Sequence, residues 1–128
     1  MTVAERLAAA MNAHDIDGFV DCFADDYDSV QPAHPDRAFR GRDQVRANWS
    51  AIFAGVPDFR AELVRGDVVG DVEWSEWQWQ GSGLDMAGVI VLGVRGGRVA
   101  WARLYVEPIE QGDGIEAAVR DMAGDDAG

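Results

Sequence analysis

The sequence predicts an α+β fold in which three N-terminal helices pack on a strongly curved antiparallel sheet. Before Pro57, apolar residues recur at the three- and four-residue spacing of amphipathic helices; after it they alternate with polar residues, as in half-buried strands. The turn sequences GSG at 81–83 and RGGR at 95–98 predict hairpins between the later strands. Helices followed by antiparallel hairpins are typical of α+β proteins. Because helices can cover only one face of such a sheet, we expect a cone with a ligand cavity at its open end.

The first half of the chain contains three helix signals, a short strand and a loop. We predict helices over 2–13, from a cap at Asp15, and over 43–54, with a strand at 27–31 and a loop over 32–41. The apolar stripes comprise Val3, Leu7 and Met11 in the first helix, Ile16, Phe19, Val20 and Phe23 in the second, and Val45, Trp49, Ile52 and Phe53 in the third.

The second half predicts strands and a last short helix. The strands are expected at 59–63, 72–80, 85–94 and 98–107. A final helix is expected over 114–122. Residues 1–122 are predicted to form one domain, and residues 123–128 a disordered tail.

Composition excludes several classes of partner. The formal net charge of −12 argues against binding to nucleic acid or to an anionic membrane surface. A single cysteine, Cys22, and the lack of a signal-peptide pattern predict a cytoplasmic protein. His14 and His34 lie far apart with no Cys/His cluster, and no phosphate-binding or dinucleotide fingerprint is present, so we expect neither a metal nor a cofactor.

Three segments, in the same order along the chain, resemble the nuclear transport factor two-like superfamily. They are LAAAMNAHDIDGFVDCFADDY at 7–27, FRGRDQVRANW at 39–49 and GVIVLGVRGGRVAWARLYVEP at 88–108. The superfamily includes SnoaL-like polyketide cyclases, ketosteroid isomerases and limonene epoxide hydrolases. The resemblance implies the cone fold and a hydrophobic cyclic, polyketide-like or terpenoid-like ligand. It implies either a cyclase, isomerase or hydrolase that works by acid–base chemistry or a non-catalytic binding protein of the same fold.

The catalytic groups of these relatives do not transfer to this chain. Leu104 would occupy an aspartate position of the epoxide hydrolases, so we expect no epoxide hydrolysis by their triad. Gln31 lies nearest to the general-base position of the isomerases, and an amide is no base at neutral pH. Glu76 then remains as the best candidate for a catalytic acid or base, near the Arg-x-Asp position of the epoxide hydrolases.

The strand VEWSEWQWQ at 72–80 decides whether Glu76 faces the cavity. Its first even-numbered positions are apolar and positions 73 and 75 are polar, so we expect the even-numbered side chains to point inward. The inward set is then Trp74, Glu76 and Gln78, and the outward set Trp77 and Trp79. Burial would raise the pKa of the Glu76 carboxyl and suit it to acid–base catalysis. A β-bulge near Ser75 would instead turn all three tryptophans inward.

Further candidates for the cavity come from four other parts of the chain. The predicted ligand-binding residues are Tyr27, Gln31, His34, Trp49, Phe53, Trp74, Gln78, Ile90 and Leu104. The alternatives are an ordinary edge strand for Tyr27 and Gln31, an exposed loop histidine for His34, and a purely structural core for the aromatic residues.

The last strand predicts two unlike faces. Ala102, Leu104 and Val106 form a small apolar set that suits the cavity side. Trp101 and Tyr105 lie on the opposite face, where they would form an exposed apolar patch if nothing covered them. We therefore predict a homodimer through the outer sheet face, with Trp77, Trp79, Trp101 and Tyr105 in the interface.

Overall fold

The computed structural model describes residues 1–124 and confirms the α+β cone. Its elements are α1 (Val3–Ala13), α2 (Ile16–Asp21), β1 (Phe23–Val30), a 3-10 turn (Pro35–Arg37), β2 (Phe39–Arg40), α3 (Arg42–Gly55), β3 (Arg60–Val69), β4 (Val72–Gly81), β5 (Leu84–Arg95), β6 (Arg98–Pro108) and α4 (Ile115–Met122). The division into one domain and a disordered tail over 123–128 stays a prediction, and residues 125–128 lie outside the described residues.

The sheet has six strands in the order β2-β1-β6-β5-β4-β3. The pairs from β3 to β6 are antiparallel hairpins, as predicted. The pairing of β1 with β6 is parallel, which was not predicted. These two strands are far apart in the chain, so no tight turn dictates their relative direction.

Helix α1 is fixed at both ends. Thr2 and Glu5 form a capping box at its N-terminus, and His14 ends the helix in the left-handed conformation with a φ of 52°. The His14 ring also stacks on Phe53 and makes a hydrogen bond of 2.9 Å to the carbonyl oxygen of Phe59. His14 therefore ties the end of the helix to the core.

The second helix is shorter than its apolar spacing predicts. It ends at Asp21, and Phe23 lies in β1. The amide of Val99 donates to the carbonyl of Cys22, and Phe23 pairs with Val99 on β6. Pairing with a distant strand thus overrides a helical pattern that was present only locally.

The predicted orientation of β4 is wrong. The odd-numbered side chains point into the protein: Trp77 is 1% exposed, whereas Trp74 is 51% exposed and the Glu76 side chain 44%. The register between β4 and β5 is continuous from Val72 to Gly81, so no bulge on that side reverses the faces. The predicted alternative of a bulge that turns all three tryptophans inward is therefore also wrong.

The physical reason lies in the two buried polar residues of β4. The Glu73 carboxylate accepts hydrogen bonds from the backbone amides of Val3 and Ala4, at 3.1 and 3.0 Å. The Ser75 hydroxyl donates to the carbonyl of Ile90 at 2.8 Å. Polar groups with such partners can be buried at little cost. The same orientation buries Trp77 and Trp79, which gives a larger hydrophobic gain than burying Trp74 alone.

None of the helices in residues 1–124 is long and apolar enough to cross a membrane.

Candidate functional site

A cavity of about 490 Å³ lies between the helices and the inner face of the sheet. Its lining comes from all three N-terminal helices and from five strands. The lining residues are Leu7, Met11, Phe19, Phe23, Tyr27, Ser29, Gln31, Phe39, Val45, Ala47, Asn48, Trp49, Ala51, Ile52, Trp79, Ile90, Leu92, Ala102 and Leu104. None of them carries a formal charge at neutral pH. A cavity of this size accommodates a small organic molecule.

Aromatic side chains hold the cavity walls in place. Trp49 on α3 packs edge to face with Trp79 on β4, with ring centroids 5.3 Å apart, and also contacts Phe19 at 4.7 Å. Phe23 packs edge to face with Tyr27 at 4.7 Å. Such pairs fix the ring orientations. These contacts therefore preform the cavity walls.

The exposed residues of the cavity lining lie on α3, and from them we infer that the cavity opens beside this helix. Ala47 and Ala51 are exposed and, four residues apart, lie on one face of this helix with the half-buried Asn48. Their small side chains leave an opening that larger residues would fill. Gln31, just beyond the end of β1, also belongs to the lining.

Two hydroxyl groups lie in the cavity wall on β1. Tyr27 and Ser29 are both buried, and because they lie two positions apart on the strand, both side chains point to its inner face. Burial raises the pKa of the Tyr27 phenol to about 12, although the neighbouring Ser29 hydroxyl acts in the opposite direction. The phenol is therefore protonated at neutral pH and can donate a hydrogen bond.

Five predicted residues do line the cavity. They are Tyr27, Gln31, Trp49, Ile90 and Leu104. Ala102, Leu104 and Val106 lie on the inner face of β6, as its alternating pattern predicted.

The prediction that Glu76, Trp74 and Gln78 face the cavity is wrong. All three side chains lie on the outer face of β4, and the Glu76 carboxylate pairs there with Arg65, with an N–O distance of 3.0 Å. The hypothesis that Glu76 is a catalytic acid or base required a buried carboxylate in the cavity, and the structure does not place it there.

Two further predicted residues are not part of the cavity lining. Phe53 stacks on His14 in the core, with ring centroids 4.7 Å apart. The Nε2 atom of His34 lies 2.8 Å from the Glu107 carboxylate. This contact ties the loop after β1 to the end of β6.

Three residues that line the cavity were not predicted from the sequence to do so. Trp79 was predicted to lie on the outer face of the sheet, and Asn48 and Phe39 were not predicted to line the cavity. One signal for Asn48 exists in the sequence. It lies between Ala47 and Ala51 on a helix whose inner face is otherwise large and apolar, and a polar residue with small neighbours is typical of a cavity mouth.

The outer face of the sheet carries a partly exposed aromatic patch. It consists of Trp74, Trp101 and Tyr105, which are 51%, 37% and 42% exposed. The Trp101 indole covers Gly93, where an added Cβ atom would clash with the Trp101 ring. Trp77 and Trp79 are buried in the core and cannot contribute to an interface on this face, so that part of the prediction is wrong.

No group of three His, Cys, Asp or Glu side chains within residues 1–124 is placed to hold a metal ion. The polar side chains that line the cavity are all neutral.

Comparison with protein families identifies the superfamily. The sequence profile of the SnoaL-like domain matches residues 4–102, which is most of the chain. The protein belongs to the SnoaL-like domain family. A comparison with curated proteins gives no match.

Solved structures similar to this SnoaL-like protein share its fold at low sequence identity. A ketosteroid isomerase candidate from Kribbella flavida has 15% identity and a TM-score of 0.73, covering 91% of this chain and 84% of that chain. A nuclear transport factor two-like protein of unknown function from Burkholderia xenovorans has 21% identity and a TM-score of 0.73, covering 94% and 88%. A polyketide cyclase candidate from Sinorhizobium meliloti has 18% identity and a TM-score of 0.67, covering 82% and 93%. These likenesses establish the fold alone.

Proposed function

We propose that this SnoaL-like protein binds a small, uncharged, hydrophobic molecule in the cone cavity. The observation that carries the proposal is a cavity of about 490 Å³ whose walls are aromatic and aliphatic and whose lining has no charged side chain. Burying a charged ligand there without a partner would cost several kcal/mol. The family and the neighbours named as isomerase and cyclase candidates support a cyclic ligand.

The test is a binding measurement with a variant that closes the mouth. Ala51→Trp places a large side chain across the opening on α3, whereas Ala54→Trp adds the same group at an exposed position of the same helix that does not line the cavity. Isothermal titration calorimetry with uncharged bicyclic compounds should show binding to the parent protein. Affinity should fall at least about tenfold in Ala51→Trp and stay unchanged in Ala54→Trp. Equal affinity in both variants would contradict binding in this cavity.

A second candidate is an enzyme of the cyclase, isomerase or hydrolase type, and Tyr27 is the residue that favours it. Its protonated phenol in the cavity wall could donate to a substrate oxygen that gains negative charge during reaction. The lining includes no carboxylate or imidazole to act as a base, so binding is the better-supported function. Mass spectrometry of the bound compound after incubation separates the two: a chemically changed ligand, lost in Tyr27→Phe, would favour catalysis. Hydrolysis of simple epoxides is not expected, because Leu104 is apolar.

We also keep the homodimer as a proposal, with a corrected interface. The patch of Trp74, Trp101 and Tyr105 combines aromatic residues with Arg103, the composition of interface hot spots. The Arg65–Glu76 ion pair lies on the same face, so charges of both signs are available for a second copy to match across a two-fold axis. A cytoplasmic location stays a prediction from the sequence.

A further inference from the structure

Helix α4 presents an apolar stripe that the rest of residues 1–124 leaves exposed. Four apolar residues at helical spacing define this α4 stripe: Ile115, Ala118, Val119 and Met122. Ile115, Val119 and Met122 are 77%, 54% and 87% exposed. Isolated helices shorter than about 12–15 residues are marginally stable in water, so an eight-residue helix depends on packing of its apolar face. The stripe therefore needs a surface to cover it.

The aromatic patch on the outer face of the sheet is too small to hold a dimer by itself. Its side chains, Trp74, Trp101 and Tyr105, are between 37% and 51% exposed. A fully covered aromatic side chain buries about 150–250 Å², so three half-exposed rings offer about 300 Å². A specific dimer buries about 800 Å² per partner, more than half of it apolar. The proposed homodimer therefore needs further apolar surface, which the α4 stripe supplies.

Charge also matches the α4 stripe to the aromatic patch. Glu116 and Asp121 border the stripe, because each is one residue, or about 100° of rotation, from one of its members. Arg103 lies between Trp101 and Tyr105 on the outer face of β6. Within residues 1–124 neither this guanidinium nor the two carboxylates of α4 form an ion pair. The acidic borders of the stripe thus complement the basic group of the patch.

The path of the chain favours the patch of a second copy over the patch of its own. The Ile109 amide donates to the carbonyl of Asp85 at 2.9 Å, so pairing with β5 continues beyond the end of β6 at Pro108. The chain therefore leaves the sheet along the direction of β6, away from Trp101. Residues 109–114 then lead to α4 and span at most about 20 Å. This path carries α4 beyond the end of its own sheet, where it is accessible to a neighbouring molecule.

We propose that α4 of each copy packs its stripe against the aromatic patch of the other copy, with Glu116 facing Arg103. The inference rests on the proposed homodimer and adds the element that completes its interface. Two-fold symmetry makes the contact twice, because both copies carry the same helix and the same patch. Two surfaces that are exposed in the monomer then cover each other in the dimer.

Sedimentation velocity of the full chain over a range of concentrations tests the contact. Val119→Gln places a polar side chain in the stripe, and Arg120→Gln is the matched control, because it introduces the same residue on the far side of the helix. Glutamine is a good helix former, so neither change disfavours the helix. The dimer dissociation constant should rise at least about tenfold in Val119→Gln, since each dimer loses two contacts, and stay within about twofold of the parent in Arg120→Gln.

The outcomes separate the α4 contact from the homodimer itself. Val119→Gln that dimerises as tightly as the parent, while Trp101→Glu is monomeric, would overturn the inference and leave the homodimer standing. A monomeric parent would remove both proposals.

Hydrogen exchange distinguishes a second copy from the chain's own surface as the partner of α4. The amides of residues 115–122 should exchange more slowly as the protein concentration rises, because the dimer protects the helix. Protection that does not depend on concentration would place α4 on its own chain. The absence of protection at every concentration would show that the stripe stays uncovered. Either result would overturn the inference.

Charge reversal tests the pairing of Glu116 with Arg103. Glu116→Arg and Arg103→Glu should each weaken the dimer, and the double variant should recover most of the loss. A double variant as weak as the two losses combined would contradict the proposed contact.

Discussion

The two glutamates of β4 should contribute very unequally to stability. Glu73 is buried, and its carboxylate accepts from the amides of Val3 and Ala4 in the first turn of α1. Glu76 is half-exposed on the other face and pairs only with the exposed guanidinium of Arg65. We predict that Glu73→Ala strongly destabilises the protein and that Glu76→Ala, the matched control on the same strand, does not.

The magnitude follows from the groups left without partners. The first turn of a helix has amide groups with no acceptor inside the helix, and at α1 the Thr2 side chain satisfies only the amide of Glu5. Glu73→Ala leaves the two remaining amides buried and unpaired, and each such loss costs about 1–3 kcal/mol. The expected loss for the two amides together is therefore about 2–6 kcal/mol, a large share of a typical stability of about 5–15 kcal/mol. An exposed ion pair contributes about 0–1 kcal/mol, so Glu76→Ala should change stability by about 0.5 kcal/mol or less.

Urea unfolding followed by circular dichroism measures both losses. Glu73→Gln adds an intermediate case, because its amide oxygen can keep one acceptor but loses the negative charge beside the helix N-terminus. The expected order of unfolding free energies is parent and Glu76→Ala, then Glu73→Gln, then Glu73→Ala. A loss in Glu76→Ala as large as that in Glu73→Ala would refute the orientation of β4 and with it the wall position of Trp79.

Two further predictions concern Tyr27 and the outer face. Burial raises the pKa of Tyr27 from the ordinary tyrosine value of 10.0 to about 12 in the folded protein, so the unfolded chain releases this proton first. The stability that this group contributes is complete below about pH 10 and falls by about 2–3 kcal/mol as the pH rises to 12. The chain has no lysine to titrate in this window. Urea unfolding between about pH 9 and pH 11 should therefore show a fall in the unfolding free energy of the parent and a smaller fall in Tyr27→Phe. Equal falls in the two proteins would contradict the assignment of this pH dependence to Tyr27. The second prediction is that the parent sediments as a dimer at tens of micromolar and that Trp74→Glu or Trp101→Glu yields monomers. A monomeric parent would argue against the interface.

The fold was predictable because its signals are local. The stripe of Val3, Leu7 and Met11 lies within one helix, and the glycines at 81–83 and 95–98 belong to the turns they specify. The parallel contact between β1 and β6 has no local signal. It depends on residues more than 70 positions apart, such as Phe23 and Val99, and so was missed.

The face of β4 could not be predicted from the strand alone. Judged by polarity, Glu73 belongs outside and Trp74 inside. The partners that make Glu73 a buried residue are backbone amides at the start of α1, about 70 residues away, and backbone amides leave no trace in the side-chain pattern. Alternation fixes which residues share a face; the partners available across the fold decide which face is buried.

This reversal also changes which chemistry the cavity can support. With even-numbered residues inside, the cavity would hold a carboxylate from Glu76 and an amide from Gln78, the components of acid–base catalysis. With odd-numbered residues inside, Glu73 is used at the helix end and Ser75 in the core, and only Trp79 reaches the cavity. The strand then contributes an aromatic surface to the cavity in place of a proton carrier. Because the lining then has no carboxylate or imidazole to carry a proton, the proposed binding function has better support from these side chains than catalysis has.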